Sequence, residues 1–366
     1  MVDLFQGIYR GCSVFLTGHT GFKGMWMLRW LTMLGANVTA FARPNEHRSP
    51  LNPLPFPPPK KEYVDDIRNA DALTEAVRTA KPDIVFHLAA QAIVRRSYID
   101  PAGTFATNVT GTANLLDACR RYGNMRGIVV ITSDKCYRNN EWDWGYREND
   151  PLGGRDPYSA SKSCAEIVAE SFRLSFPELA NLATCRSGNI IGGGDWSEDR
   201  LVPDLMRAAV VGETTALRMP DATRPWQHVL DPLYGYLLIG RKFLEGGKPE
   251  RYAEAWNFGP DAAENLTVGD IADRMSQYWN KIRFRIKNSV EPREARLLML
   301  DCAKARKRLD WTPLWNIDET VRRTVDWYRE YAESGIDLTE RHIADYAEKR
   351  ESLCSTVRTR ACDDRR

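Results

Sequence analysis

Tyr158 and Lys162 are four residues apart, so on a helix their side chains share one face, a turn from each other. A free tyrosine titrates at about 10 and is a poor base at neutral pH. A lysine ammonium beside it favours the phenolate. Such a phenolate takes a hydroxyl proton while hydride leaves the same carbon for a nicotinamide. Taken alone, the pair also fits an ordinary surface contact. Ser133-Asp134-Lys135 stands upstream, delivered by the apolar run Gly127 to Thr132. That run reads as a buried parallel strand, and open α/β sheets place ligands at the C-terminal edge of such strands.

The element that must seat a nicotinamide cofactor comes first in the chain. Val14, Phe15 and Leu16 read as a strand, Thr17 to Gly24 as a turn with three glycines, and Met25 to Leu34 as a helix apolar nearly all round. This layout sets helix N-terminal amides against a pyrophosphate. Gly18 makes the tight turn, Gly21 lets a cofactor approach the backbone, and Gly24 lets helix and strand pack closely. The spacing is G-x-x-G-x-x-G rather than the commoner G-x-G-x-x-G, and a purely structural turn is the plain alternative.

The following elements continue the pattern. A second strand, Asn37 to Ala42, ends at Arg43, where a carboxylate for the adenosine ribose often stands. Arg43 faces either a 2′-phosphate or solvent, which leaves NAD and NADP both open. Pro44 to Pro59 holds seven prolines and reads as an irregular or polyproline surface loop. Tyr63 to Arg68 reads as a short strand ending in an acidic turn, whose Asp accepts from an adenine amino group or caps a helix. Asp83 to Ala90 is the next buried strand. Ala89 and Ala90 leave room for a cofactor against the backbone, and His87 reads as a satisfied core histidine. Thr104 to Tyr122 is a long helix containing Asn108. Strands alternating with helices mean an α/β fold with a doubly wound parallel sheet.

Arg138 to Asp156 is polar, rich in Trp and Gly, and reads as a loop over the site. Pro157 then opens the helix that carries Tyr158 and Lys162. After the strand Leu182 to Arg186 and the glycine cluster Ser187 to Trp196, the alternation fades. The expected organisation is a dinucleotide-binding domain over 1–188, with returns at Tyr234 to Leu244 and Ala255 to Phe258. A smaller, interleaved substrate-binding lobe follows over 189–345, and then a charged, frayed tail over 346–366. Trp196 and Trp226 line a pocket or sit in the core.

Composition excludes other classes. With 51 basic and 49 acidic residues in 366, the net charge of +2 gives no reason to expect nucleic acid or a membrane surface as partner. No apolar run approaches the roughly 20 residues of a membrane span, and no basic-then-apolar leader opens the chain, so a cytoplasmic protein is expected. Eight cysteines without a C-x-x-C pair read as reduced, packed thiols. The five histidines show no metal-ligand spacing, so no metal site is expected.

These strings together resemble the extended short-chain dehydrogenase/reductases, the NAD-dependent epimerase/dehydratase family. The matching pieces are TGHTGFKG at 17–24, HLAAQ at 87–91, Asn108, TSD at 132–134 and YSASK at 158–162. Longer strings are similar to the branch of 4,6-dehydratases that act on CDP-glucose: VRRSYIDP at 94–101, TSDKCY at 132–137, WGYRENDPLGG at 144–154, GNIIGGGDW at 188–196, EDRLVPD at 198–204, RPWQHV at 224–229 and WNFGP at 256–260. The resemblance covers roughly residues 8 to 330. It implies a Rossmann domain that binds NAD, and a homodimer. It implies that Gly18, Thr20, Gly21, Phe22, Gly24, Asp66, Ile67, Ala89, Ala90 and Asn108 contact the cofactor together with Tyr158 and Lys162. Ser133, Tyr158 and Lys162 would form the hydride-transfer group, and Asp134 would protonate the leaving 6-hydroxyl. Lys135 stands where dTDP-glucose relatives carry a glutamate base, which sharpens the branch and leaves the base at carbon 5 open. The implied reaction oxidises carbon 4, removes water across carbons 5 and 6, and returns hydride to carbon 6. Substrate diphosphate needs cations, for which Arg224 and then Arg200 are the candidates, with Asn189 as a donor. Surface salt bridges for the arginines and a turn role for Asn189 compete. The rival activities are a 4-epimerase or a dehydratase for another nucleotide sugar, and a non-catalytic NAD(P)-binding protein.

Overall fold

The computed structural model describes residues 4–44, 58–179, 181–261, 266–287 and 297–363, with side chains as far as Leu353. Most of the proline-rich stretch lies outside them. Seven parallel strands form one sheet: β1 (Ser13–Thr17), β2 (Asn37–Ala42), β3 (Lys61–Val64), β4 (Ile84–His87), β5 (Gly127–Ile131), β6 (Leu182–Ser187) and β7 (Ala255–Phe258), in the order β7-β6-β5-β4-β1-β2-β3. The order reverses between β1 and β4, and the crevice outside the strand ends at such a reversal is where ligands bind. Thr17 pairs with His87 and Ile131 with Cys185, so the ends of β1, β4, β5 and β6 meet at this edge.

Side chains alternate across the sheet. Val14 and Leu16 join one core with Trp26, Trp30, Leu233 and Leu237; Phe15, between them, joins the other with Val77, Leu115, Leu116 and Ala169. The first core is covered by α1 (Phe22–Met33) and a later helix, Leu230–Leu244. The second is covered by α2 (Ala70–Ala80), α3 (Gly111–Tyr122) and α4 (Pro157–Ser175). Both faces are therefore sealed, as near-continuous apolar strands such as Gly127–Ile131 require. The helical stretch before α3 carries one turn of π-helix, Ala106–Thr110, around Asn108.

After β6 the chain leaves the sheet and returns through Leu230–Leu244 and β7. Between and beyond these it forms short ladders, Ile190–Ile191 with Gln227–His228, Thr223–Arg224 with Leu266–Thr267, and Thr215–Leu217 with Phe284–Ile286. Two features differ from the sequence expectation. Arg138 to Asp156 does not cover the cavity described below. Its aromatics stack on one another, and Tyr146 bridges to Leu300. The tail is not frayed where it begins at residue 346, because helix Thr339–Asp363 carries Tyr346, Ala347 and Arg350 into the core. The Tyr346 hydroxyl donates to Asp231 at 2.8 Å, and Arg350 stacks on Tyr234. Among the described residues, no helix is long and apolar enough to cross a membrane.

Candidate active site

Asp156 caps the N-terminus of α4, accepting from Ser159 N at 2.9 Å, and Pro157 occupies the first turn. This fixes where Tyr158 and Lys162 point. Both are buried, and both line a cavity of about 310 Å³ at the edge where β4, β5 and β6 end. Ser133, Asp134 and Lys135 line the same cavity from the end of β5. Lys162 Nζ donates to Ile131 O at 3.3 Å. The Ser133 hydroxyl donates to Asp134 Oδ1 at 3.0 Å and lies against the Tyr158 phenol, whose ionised form it favours.

The electrostatics correct one expectation. Burial pushes Tyr158 up to about 12; Ser133 and Arg200 oppose this, while Lys162 is not among the groups that lower it. Lys162 is itself drawn down to about 8 by burial, with Glu166 acting against the fall. Asp134 is 3% exposed, and burial raises its carboxyl above the ordinary range against the pull of Lys135, Ser133 and Arg224. Its Oδ2 has no hydrogen-bond partner among the described residues. A Cβ at Gly188 would stand 3.0 Å from that oxygen, so glycine keeps the approach open. The group is a buried carboxyl, shifted toward its protonated form, with one oxygen unpartnered among the described residues at a cavity wall.

The glycine turn divides by position. Gly18 has φ +75°, and a Cβ there would meet Ala89 N at 2.6 Å; a Cβ at Gly24 would meet Gly18 O at 2.0 Å. Both are demanded by the protein's own packing. Around Gly21 only Gly18 O comes near, at 3.5 Å, and no side chain caps α1. The first-turn amides are thus left uncapped beside a residue whose small size the protein itself does not require. That combination fits a dinucleotide pyrophosphate.

The family model described as GDP-mannose 4,6 dehydratase matches residues 15–324. This chain belongs to that 4,6-dehydratase family. A CDP-glucose 4,6-dehydratase of Salmonella typhimurium is 43% identical over 94% of the chain and 98% of the relative's length. Among solved structures, an epimerase from Methanothermobacter thermautotrophicus is similar with TM-score 0.78 at 22% identity, over 90% of this chain and 96% of the other. A dTDP-glucose 4,6-dehydratase from Streptomyces venezuelae, solved with NAD and TYD bound, has TM-score 0.72 at 25% identity, over 87% and 97%. The doubly wound sheet with a smaller C-terminal part is the architecture these structures share with the chain.

In this 4,6-dehydratase the other expected residues fall into three groups. Asn189, Arg200 and Arg224 line the cavity with the five residues expected to be catalytic, as do Phe22 and Ala90. Arg200 is bonded to Asp195 at 3.1 Å and to Ala92 O at 3.3 Å. Thr20, Gly21 and Ala89 lie along the cleft outside the ends of β1 and β4 and do not line this cavity. Asp66 and Ile67 follow β3; Asp66 takes the guanidinium of Arg68 on both oxygens, with Arg43 at 4.0 Å, and Ile67 is packed in the core. Asn108 is engaged within the protein. Its oxygen accepts from Gln91 N at 2.8 Å, and its amide donates to Gln91 O and to Ser161 Oγ at 2.8 Å. Both amide protons are taken inside the protein, so the side chain ties the end of β4 to α4. His87 is the satisfied core histidine expected, between Thr17 and Thr112 and drawn down to about 3 by burial. Trp196 packs edge-on to Tyr328 in the core, while Trp226 lines the cavity.

The sequence reading missed Lys23, a half-buried cavity residue over the Tyr236 ring, drawn down to about 7 by desolvation. Its signal was a lysine inside a glycine motif that opens an otherwise apolar helix. It also missed Glu166 and Arg186, which lie behind the cavity.

Proposed function

We propose that this chain is a nucleotide-sugar 4,6-dehydratase that converts CDP-glucose to CDP-4-keto-6-deoxyglucose. The observation that carries the reading is Asp134: a buried carboxyl shifted toward its protonated form, with an open oxygen, beside Ser133, Tyr158 and Lys162 in one cavity. An epimerase has no water to expel and no use for such an acid. NAD, when bound along Gly18, Thr20, Gly21, Phe22, Ala89 and Ala90, would accept hydride from carbon 4 and give it to carbon 6.

The residues of the chain handle the protons. Tyr158 takes the proton of the 4-hydroxyl, its phenolate favoured by Ser133 and Arg200, with Lys162 one helical turn away. The 4-ketone acidifies the hydrogen on carbon 5, and Lys135, which lines the cavity next to Asp134, takes it in its neutral amine form. Asp134 gives its proton to the departing 6-hydroxyl. Arg200 and Arg224 hold the diphosphate, with Asn189 beside them. The buried walls keep out water that would intercept the ketone. A homodimer belongs to the same reading: away from the cavity, Tyr98 and Ile99, with Ile167 and Leu174 on α4, are apolar and exposed on neighbouring helices. Six free cysteines in the described chain suit the reducing cytoplasm.

The test offers the purified protein, with NAD, CDP-, dTDP-, GDP- and UDP-hexoses and follows loss of one water by mass. Loss from CDP-glucose is expected. Turnover of another nucleotide sugar in its place, or epimerisation without water loss, overturns the assignment.

A further inference from the structure

Behind the cavity lies a second charge pair. Glu166 and Arg186 are 4% and 3% exposed, and their side chains meet at 2.7 Å. Neither lines the cavity. Glu166 follows Lys162 by four residues on α4, as Lys162 follows Tyr158, so the three side chains form one line along the helix. Glu166 also accepts from Thr132 Oγ1, and from Thr184 Oγ1 at 2.7 Å. Thr132 immediately precedes Ser133. Arg186 is braced on its far side by the Tyr137 hydroxyl at 2.7 Å and Glu148 O at 3.0 Å.

Stability alone does not account for this pair, since buried ion pairs are often replaceable by neutral groups without loss. Burial by itself would neutralise the carboxyl; Arg186 and the two threonine hydroxyls hold it below its ordinary value. The groups facing Lys162 are Glu166 on its own helix, Cys136 after β5, His87 on β4 and Lys23 on α1. Burial keeps the Cys136 thiol and the His87 ring uncharged, and Lys23 opposes a second cation. Glu166 is the remaining charge that favours the ammonium.

We propose that Glu166, paired with Arg186, is a positioning residue for the catalytic lysine: its charge holds Lys162 as the ammonium beside Tyr158, and its bond to Thr132 sets α4 against the strand end that carries Ser133. The proposal rests on the dehydratase reading for the roles of Tyr158 and Lys162. The charge on Lys162 is measurable without any substrate, so the two can fail separately.

The experiment follows the Lys162 Nζ signal by NMR in 15N-lysine-labelled protein, assigned with Lys162→Met, across a pH titration. Glu166→Gln is expected to lower the midpoint by about one pH unit, a tenfold change in proton affinity. The alkaline fall in kcat should move down by a similar interval while KM changes little. Because Glu166→Gln strands a buried guanidinium, the double variant Glu166→Gln/Arg186→Met removes both charges and preserves the packing; it is expected to show the same lowered midpoint. Glu166→Asp, which keeps the charge, is expected to bring the midpoint back toward wild type. A folded double variant whose Lys162 titrates as in wild type overturns the proposal.

Discussion

Asp134 and Lys135 are neighbours on one turn after β5, yet they face different demands. Asp134 is sealed, bonded on one oxygen and open on the other, and burial shifts it toward its acid form. Lys135 is half-buried on the cavity wall. Removing each should therefore stop the reaction at a different point. Lys135→Ala should still oxidise carbon 4, seen as the near-ultraviolet absorbance of reduced cofactor on mixing with CDP-glucose. Loss of water should slow by about 10²–10⁴-fold, the usual worth of a general base. Water loss at the wild-type rate would place the base elsewhere. Tyr158→Phe should instead suppress the absorbance change itself. The sequence displayed these residues well, because a helix repeat and a strand end fix their geometry locally. It did not display their charge states. Burial, which sets the titration of Tyr158, Lys162 and Asp134, is a property of the packed sheet. Nor did it display Glu166 with Arg186, whose pairing depends on α4 packing against β6.

At the scale of elements, the glycine turn joins β1 to α1 and makes two separable demands. A Cβ at Gly24 would overlap Gly18 O, a backbone atom that cannot step aside. Gly24→Ala should destabilise the fold by roughly 1–3 kcal/mol, the range for forced overpacking, with a lower Tm even in the absence of cofactor. Gly21 has an ordinary extended conformation, φ −83°, and an open neighbourhood. Gly21→Ala should leave Tm nearly unchanged and weaken NAD binding at least tenfold, about 1.4 kcal/mol, by calorimetric titration. Equal effects of the two substitutions on Tm would show that the turn is structural throughout. The three glycines were readable from spacing, and so was the strand-turn-helix layout. Asn108 was not: a polar residue on the helix after β4 could have faced a ligand, and only the tertiary placement of Gln91 and Ser161 shows that its amide is already bonded. The tail misled for a related reason. Its charges dominate its composition, while Tyr346 and Ala347, with Arg350 one turn on, make the buried stripe that docks it.

Across the whole molecule, buried histidines set an acid limit. His87, under the catalytic edge, is drawn down to about 3, and His342, on the last helix against Trp26, to about 4; both shifts come from burial. His228 is also pushed well below its ordinary value. In the unfolded chain each titrates at about 6.5. The unfolded state therefore binds more protons from about pH 6.5 down to the folded values, so stability is complete above that range and is lost as pH falls through it. Each ring contributes a slope of about 1.4 kcal/mol per pH unit, or about 5 kcal/mol for His87 and about 3 kcal/mol for His342 over their full windows. Asp204, raised to about 6 by burial, works in the opposite direction over part of the same range. Against a total of about 5–15 kcal/mol for a folded domain, two or three such rings are decisive. The Tm should be flat near pH 7 and fall steeply between pH 6 and 4. His342 Nδ1 has no hydrogen-bond partner among the described residues, so His342→Phe keeps an aromatic ring against Trp26 and removes the titration. That variant should show a shallower acid slope with a similar Tm at pH 7. A wild-type Tm that stays level down to pH 4 would mean that these rings protonate in place, and that the core around them admits the charge.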